Sequence, residues 1–98
     1  MAAHVLSLTL DLHIPECRSL KAKRSVLKSV IETSRRRYGV SVAETDHQDT
    51  WQRSEVAVAV VASSVHQARE VIDEVERFVW SVPELQVLGA TRRWMEAD

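Results

Sequence analysis

The sequence has few of the residues that break or staple a chain: two glycines, two prolines and one cysteine among 98 residues. So little Gly and Pro leaves room only for short connections between elements. One cysteine excludes an internal disulfide and every multi-cysteine zinc pattern, which fits a reducing compartment. No stretch approaches the roughly 20 apolar residues of a membrane span. The N-terminus also lacks a basic region followed by an unbroken apolar run, so no signal peptide is expected. One Phe and one Tyr beside three Trp exclude the aromatic platform on which RNA-recognition-motif sheets stack bases. The expectation is a cytoplasmic protein with no membrane contact and no cofactor.

What is present suits one soluble domain over residues 1–98. Hydrophobic residues make up 45% and charged residues 28%, ordinary values for a globular chain. The charges are segregated. Between Arg18 and Arg37, eight cations (Arg18, Lys21, Lys23, Arg24, Lys28, Arg35, Arg36, Arg37) face Glu32 alone, so the segment carries 8 − 1 = +7. From Glu44 to Glu84, nine acids face three arginines, giving 3 − 9 = −6. The net charge of −1 conceals this split. A segregated basic segment is an electrostatic handle for an anionic partner.

Periodicity supplies the elements. Val5 to Leu12 alternates strictly, with Leu6, Leu8, Leu10 and Leu12 on one face, as a strand lying on a core does. Ser19 is an N-cap for a helix whose stripe is Leu20, Leu27, Ile31 and Tyr38, widened by Val26 and Val30, and Gly39 stops it. Val40 to Asp46 and Glu55 to Ala62 are strands. The second is apolar on both faces and is expected mid-sheet. Ser64 caps a second helix, where Gln67 completes a capping box. Ala68, Val71, Ile72, Val75, Phe78 and Val79 form its buried arc, and Trp80 falls off that arc. Leu85 to Trp94 is a weaker last strand.

The order β-α-β-β-α-β is the ferredoxin-like pattern. Right-handed crossovers then give an α+β sandwich: a four-stranded antiparallel sheet ordered 4-1-3-2 with both helices on one face. In that topology, His13 to Ser19 and Asp46 to Arg53 meet at one rim beside the N-terminus of the first helix, whose free amides suit anions. Lys21, Arg24, Lys28 and Arg35 fall within about 60° of arc at 100° per residue, one ridge along the helix.

The rim segments HIPECRSLKAKR (His13 to Arg24) and AETDHQDTWQR (Ala43 to Arg53) resemble the signatures of the YlxP-like family of small uncharacterised bacterial proteins. The resemblance runs over nearly the whole chain and implies a ferredoxin-like fold with no accepted catalytic activity. Genes of this family commonly lie among those for translation initiation and ribosome maturation factors, which implies an RNA or ribosomal setting. Two positions depart from the pattern. Ala22 stands where the family has glutamate, and Cys17 where it has a small residue.

The favoured reading is a non-enzymatic binding protein for RNA or a ribosomal particle. Ser19, Lys21, Lys23, Arg24, Lys28 and Arg35 would hold phosphates, with His47, Gln48, Trp51 and Arg53 contributing from the rim. Two others compete. One is a small metal-assisted hydrolase using His13, Asp46, His47 and Asp49, residue types that ligate metals or act as general bases. The other is a homo-oligomeric structural or regulatory domain, pairing charged helices between subunits or joining as a homodimer through the open sheet face, where Val5, Ser7 and Thr9 lie beside Ala57, Ala59 and Val61. No residue offers a convincing nucleophile.

Overall fold

The computed structural model describes residues 3–95. Its elements run β1 (His4–His13), α1 (Leu20–Tyr38), β2 (Ser41–Asp46), β3 (Arg53–Ala62), α2 (Val65–Trp80) and β4 (Gln86–Met95). The sheet is ordered β2-β3-β1-β4 and all three pairings are antiparallel. This is the expected order read from the other edge. β3 is central, as its two apolar faces require.

The alternation in β1 sets the layers. Leu6, Leu8, Leu10, Leu12 and Ile14 are essentially sealed and meet Val56, Val58 and Val60 of β3 with Ala68, Ile72, Val75 and Val79 of α2. The opposite face carries Val5, Ser7, Thr9, Asp11 and His13, paired with Val61, Ala59, Ala57, Glu55 and Arg53, and no element among the described residues covers it.

Both helices start at serine caps. Ser19 Oγ accepts from the Ala22 amide at 3.0 Å, and Ser64 Oγ accepts from the Gln67 amide at 3.1 Å. The capping box expected at α2 is only half made. The Gln67 side chain accepts from the Ser63 hydroxyl at 3.2 Å instead of reaching the Ser64 amide. Gly39 closes α1 at φ 66° with its amide on the Arg35 carbonyl, a left-handed stop that only glycine enters without cost.

The buried stripe of α1 differs from the apolar one. Lys23, Leu27, Val30 and Ser34 are its buried residues, while Leu20, Val26, Ile31 and Tyr38 are half-buried. The true inward line passes through two polar residues, and one of them, Lys23, belongs to the expected phosphate-binding set.

Candidate nucleic-acid interface

The two rim segments meet through the backbone. The Ile14 amide donates to the Gln52 carbonyl at 2.9 Å. The Gln52 side-chain amide donates to the carbonyls of Cys17 at 3.2 Å and Pro15 at 3.4 Å. Gln52 therefore clips the proline-bearing bend to the 47–52 turn directly beside the capped start of α1. Unpaired backbone groups near a core are costly, and this clip gives the Ile14 amide and the Pro15 and Cys17 carbonyls their partners. Cys17 is buried and its thiol donates to the Ser19 carbonyl at 3.3 Å, a packing role.

Lys23 lies beneath the rim and is only 1% exposed. Its ammonium is 2.9 Å from Glu44 Oε2 and donates to the His47 carbonyl. Glu44 Oε2 also accepts from the Ser54 hydroxyl at 2.7 Å, and Ser54 is itself fully buried. A buried ammonium is tolerated only when paired and hydrogen-bonded, and here both conditions are met. Lys23 is thus a strut between α1 and the β2–β3 end, and it leaves the phosphate-binding set. The signal for this strut lies at β2, where Val40, just before the strand, and Val42 and Glu44 within it continue one inward face and so aim a carboxylate at α1.

The remaining ridge is open. Lys21, Arg24, Lys28 and Arg36 are exposed. Among the described residues, the ion pairs engage Lys23, Arg53, His66 and Arg92 and none of these four. No ion pair joins α1 to the acidic α2 among the described residues. Beside the ridge runs a groove of about 410 Å³ between α1 and β2. Arg24, Lys28, Arg35, Glu32 and Glu44 border it together with Leu27, Ile31, Val42 and Ala43, of which Leu27 and Val42 are sealed in the core. Arg35 is half committed, since its Nη2 donates to the Val42 carbonyl at 2.7 Å.

With this geometry in place, comparison with known proteins decides the family. The family model described as "Protein of unknown function (DUF503)" matches residues 5–92. The chain belongs to this family. It is 37% identical over 76 residues to the uncharacterized protein YlxP of Bacillus subtilis (strain 168), covering 78% of this chain and 83% of that one. Solved structures share the fold at low identity. A de novo designed protein with a ferredoxin fold, LFR1 1, aligns over 96% of this chain and 85% of its own at TM-score 0.50 and 15% identity. A C-terminal segment of the alpha subunit of aIF2 from Pyrococcus abyssi covers the whole of this chain and 52% of its own, at TM-score 0.56 and 14% identity. The de novo designed protein Foldit4 aligns at TM-score 0.57 and 13% identity over 97% and 99% of the two chains.

In this DUF503 member the other expected rim residues separate. His13 Nδ1 donates to Gln86 Oε1 at 2.9 Å, and Asp46 Oδ1 accepts from the His47 amide at 2.7 Å in a local turn. His13, Asp46, His47 and Asp49 do not converge: no group of three metal-ligating side chains forms among the described residues. His47 holds φ 63°, and its carbonyl accepts from both Lys23 and the Thr50 amide. Arg53 is on the wrong side for the ridge. Alternation puts it on the open sheet face, where Nη2 pairs with Asp11 at 2.8 Å and Nε is buried without a partner. Gln48 and Trp51 are exposed in the turn, and no side-chain hydrogen bond or ion pair engages either among the described residues.

A second polar cluster sits between α2 and β4. Arg92 bridges Asp73 at 2.8 Å and Glu76 at 3.1 Å. Burial works against its charge, but these two carboxylates outweigh that and hold its pKa above the ordinary value. Arg69 stacks 5.8 Å over Trp94, which fixes the last strand to α2. Trp80 is exposed, as its place off the α2 arc implies. No helix among the described residues is long and apolar enough to cross a membrane.

Proposed function

We propose that this chain is a non-enzymatic binding protein of the cytoplasm that holds RNA, free or within a ribosomal particle, by its phosphates. The observation that carries this reading is the unpaired ridge. In a chain of net charge −1, Lys21, Arg24 and Lys28 stand exposed on one helix without a carboxylate partner among the described residues. Maintaining three like charges along a helix face costs stability, and a polyanion repays that cost. The capped start of α1, with Gln48 and Trp51 beside it, extends the surface to the rim.

Fluorescence anisotropy of a labelled oligoadenylate over a salt series tests the reading. Affinity should fall with log[salt] at a slope of about −0.7 per phosphate neutralised on single strands. The triple change Lys21→Gln/Arg24→Gln/Lys28→Gln should flatten that slope by about two. An affinity indifferent to salt, or equal in the triple variant, ends it.

A second reading, homodimerisation through the open sheet face, has one specific observation in its favour. Val5 is flanked across the strands by Val61 and Met95, which are 66% and 59% exposed. Three adjacent apolar residues on an uncovered sheet suit a twofold contact.

A further inference from the structure

We infer that β4 pairs antiparallel with the β4 of a second copy about a twofold axis at Thr91, so that the two sheets run on as one. The core layer stops short at this strand. Leu6, Leu8 and Leu10 of β1 are sealed, yet the residues beside them on β4, Trp94, Arg92 and Ala90, are all exposed. Past them lies a bare edge, and an edge strand is a template for pairing with another chain. The two edges of the sheet differ. β2 has 6 residues, shifts register between Glu44 and Asp46, and has its Val42 carbonyl engaged by the Arg35 guanidinium. β4 has 10 residues and pairs without a break from Gly89 to Met95. Among the described residues, the one side-chain hydrogen bond onto its backbone comes from its inner neighbour, Ser7 of β1.

The occupant is a second copy because the strand is complementary to itself. Residues directly opposite each other on antiparallel strands point to the same face, so a twofold contact must be centred on one residue. With the axis at Thr91, that residue meets its own equivalent, Arg92 and Arg93 meet the partner's Ala90 and Gly89, and Trp94 meets the partner's Leu88. Trp94 and Leu88 are 38% and 53% exposed, so apolar surface is covered twice and no like charges stand opposed. An axis at Arg92 or Arg93 sets arginine against arginine, which is destabilising. An axis at Ala90 sets Trp94 against Gln86 and Arg92 against Leu88. The bulge that leaves Leu88 without a β1 partner falls outside the run Gly89 to Arg93 that this register pairs. The contact uses neither the α1 ridge nor the open sheet face, so it stands apart from both readings above.

Sedimentation velocity over a concentration series tests the assignment in the wild-type chain, Thr91→Lys and Val61→Glu. Thr91 is exposed, so its variants should fold, and circular dichroism checks this. The wild type should reach a dimer, Thr91→Lys should weaken it at least about fivefold by opposing two ammonium groups, and Val61→Glu should leave it unchanged. Oxidative crosslinking reads the register. Opposed residues stand roughly 4.5–5.5 Å apart at Cα, within disulfide reach, so Thr91→Cys should give a covalent dimer while the wild type, with only its buried Cys17, gives none. Arg93→Cys should not crosslink, because its equivalent lies four positions, about 13 Å, along the strand. A wild type that stays monomeric, or a dimer lost in Val61→Glu and kept in Thr91→Lys, overturns the edge contact. Crosslinking of Arg93→Cys as readily as Thr91→Cys overturns the axis at Thr91.

Discussion

Lys23 Nζ stands 2.9 Å from Glu44 Oε2, and this contact separates the cation that builds the rim from those that are free to use it. The pair joins the first turns of α1 to the end of β2, and through the His47 carbonyl it also sets the turn beyond. Lys23→Met should therefore cost about 3 kcal/mol, since it strands the Glu44 carboxylate and the His47 carbonyl. Lys23→Met/Glu44→Leu should recover most of the loss. Urea denaturation checks both. The salt slope of RNA binding, measured on folded protein, should be unchanged by Lys23→Met.

The start of α1 offers a gain. Ser19 already caps the Ala22 amide, and α1 has no acid in its first turn. Ala22→Glu would let the new carboxylate reach back to the Ser19 amide and meet the positive end of the helix. Stability should rise by about 0.5 kcal/mol by thermal unfolding, and RNA affinity should fall a few-fold at low salt, because the added charge sits beside Lys21.

His47 holds its left-handed backbone, φ 63°, because its carbonyl is pulled in by Lys23 and Thr50. If that conformation is its main contribution, His47→Gly should be neutral or stabilising by up to about 1 kcal/mol, and His47→Val destabilising by about 1–2 kcal/mol. Equal losses in both variants would show that the imidazole itself matters.

The open face gives a prediction of its own. Val61→Glu places a charge on the β3 side of the exposed apolar trio Val5, Val61 and Met95, on a residue that the core does not use. If the open face is the contact, sedimentation velocity should show the wild type self-associating with concentration and the variant monomeric, with unfolding midpoints alike at low concentration. A monomeric wild type at high concentration removes the dimer reading.

Much of the fold was legible because β1 and β3 alternate, both helices begin at serine caps, and Gly39 ends α1. Each of those signals is local. The meeting of the proline bend with the 47–52 turn was legible too, since it follows from the connection rules once the element order is known. The half-made box at α2 was not legible, because Ser63 competes for Gln67 and side-chain choice depends on rotamers. The metal-type residues at the rim share a neighbourhood but not a direction: His13 points to Gln86 and Asp46 to its own turn.

The sequence by itself determined the element order, the caps and the angular line of cations on α1, because these depend on neighbours a few positions apart. Only the tertiary structure decided which cations remain free. Lys23 and Arg53 are indistinguishable from Lys21 and Arg24 by composition. Packing carries Lys23 inward onto Glu44, and strand alternation turns Arg53 to the far side of the sheet onto Asp11. The physical reason is that charge pairing falls off over a few ångströms, and which carboxylate lies within that range is set by residues distant in the chain.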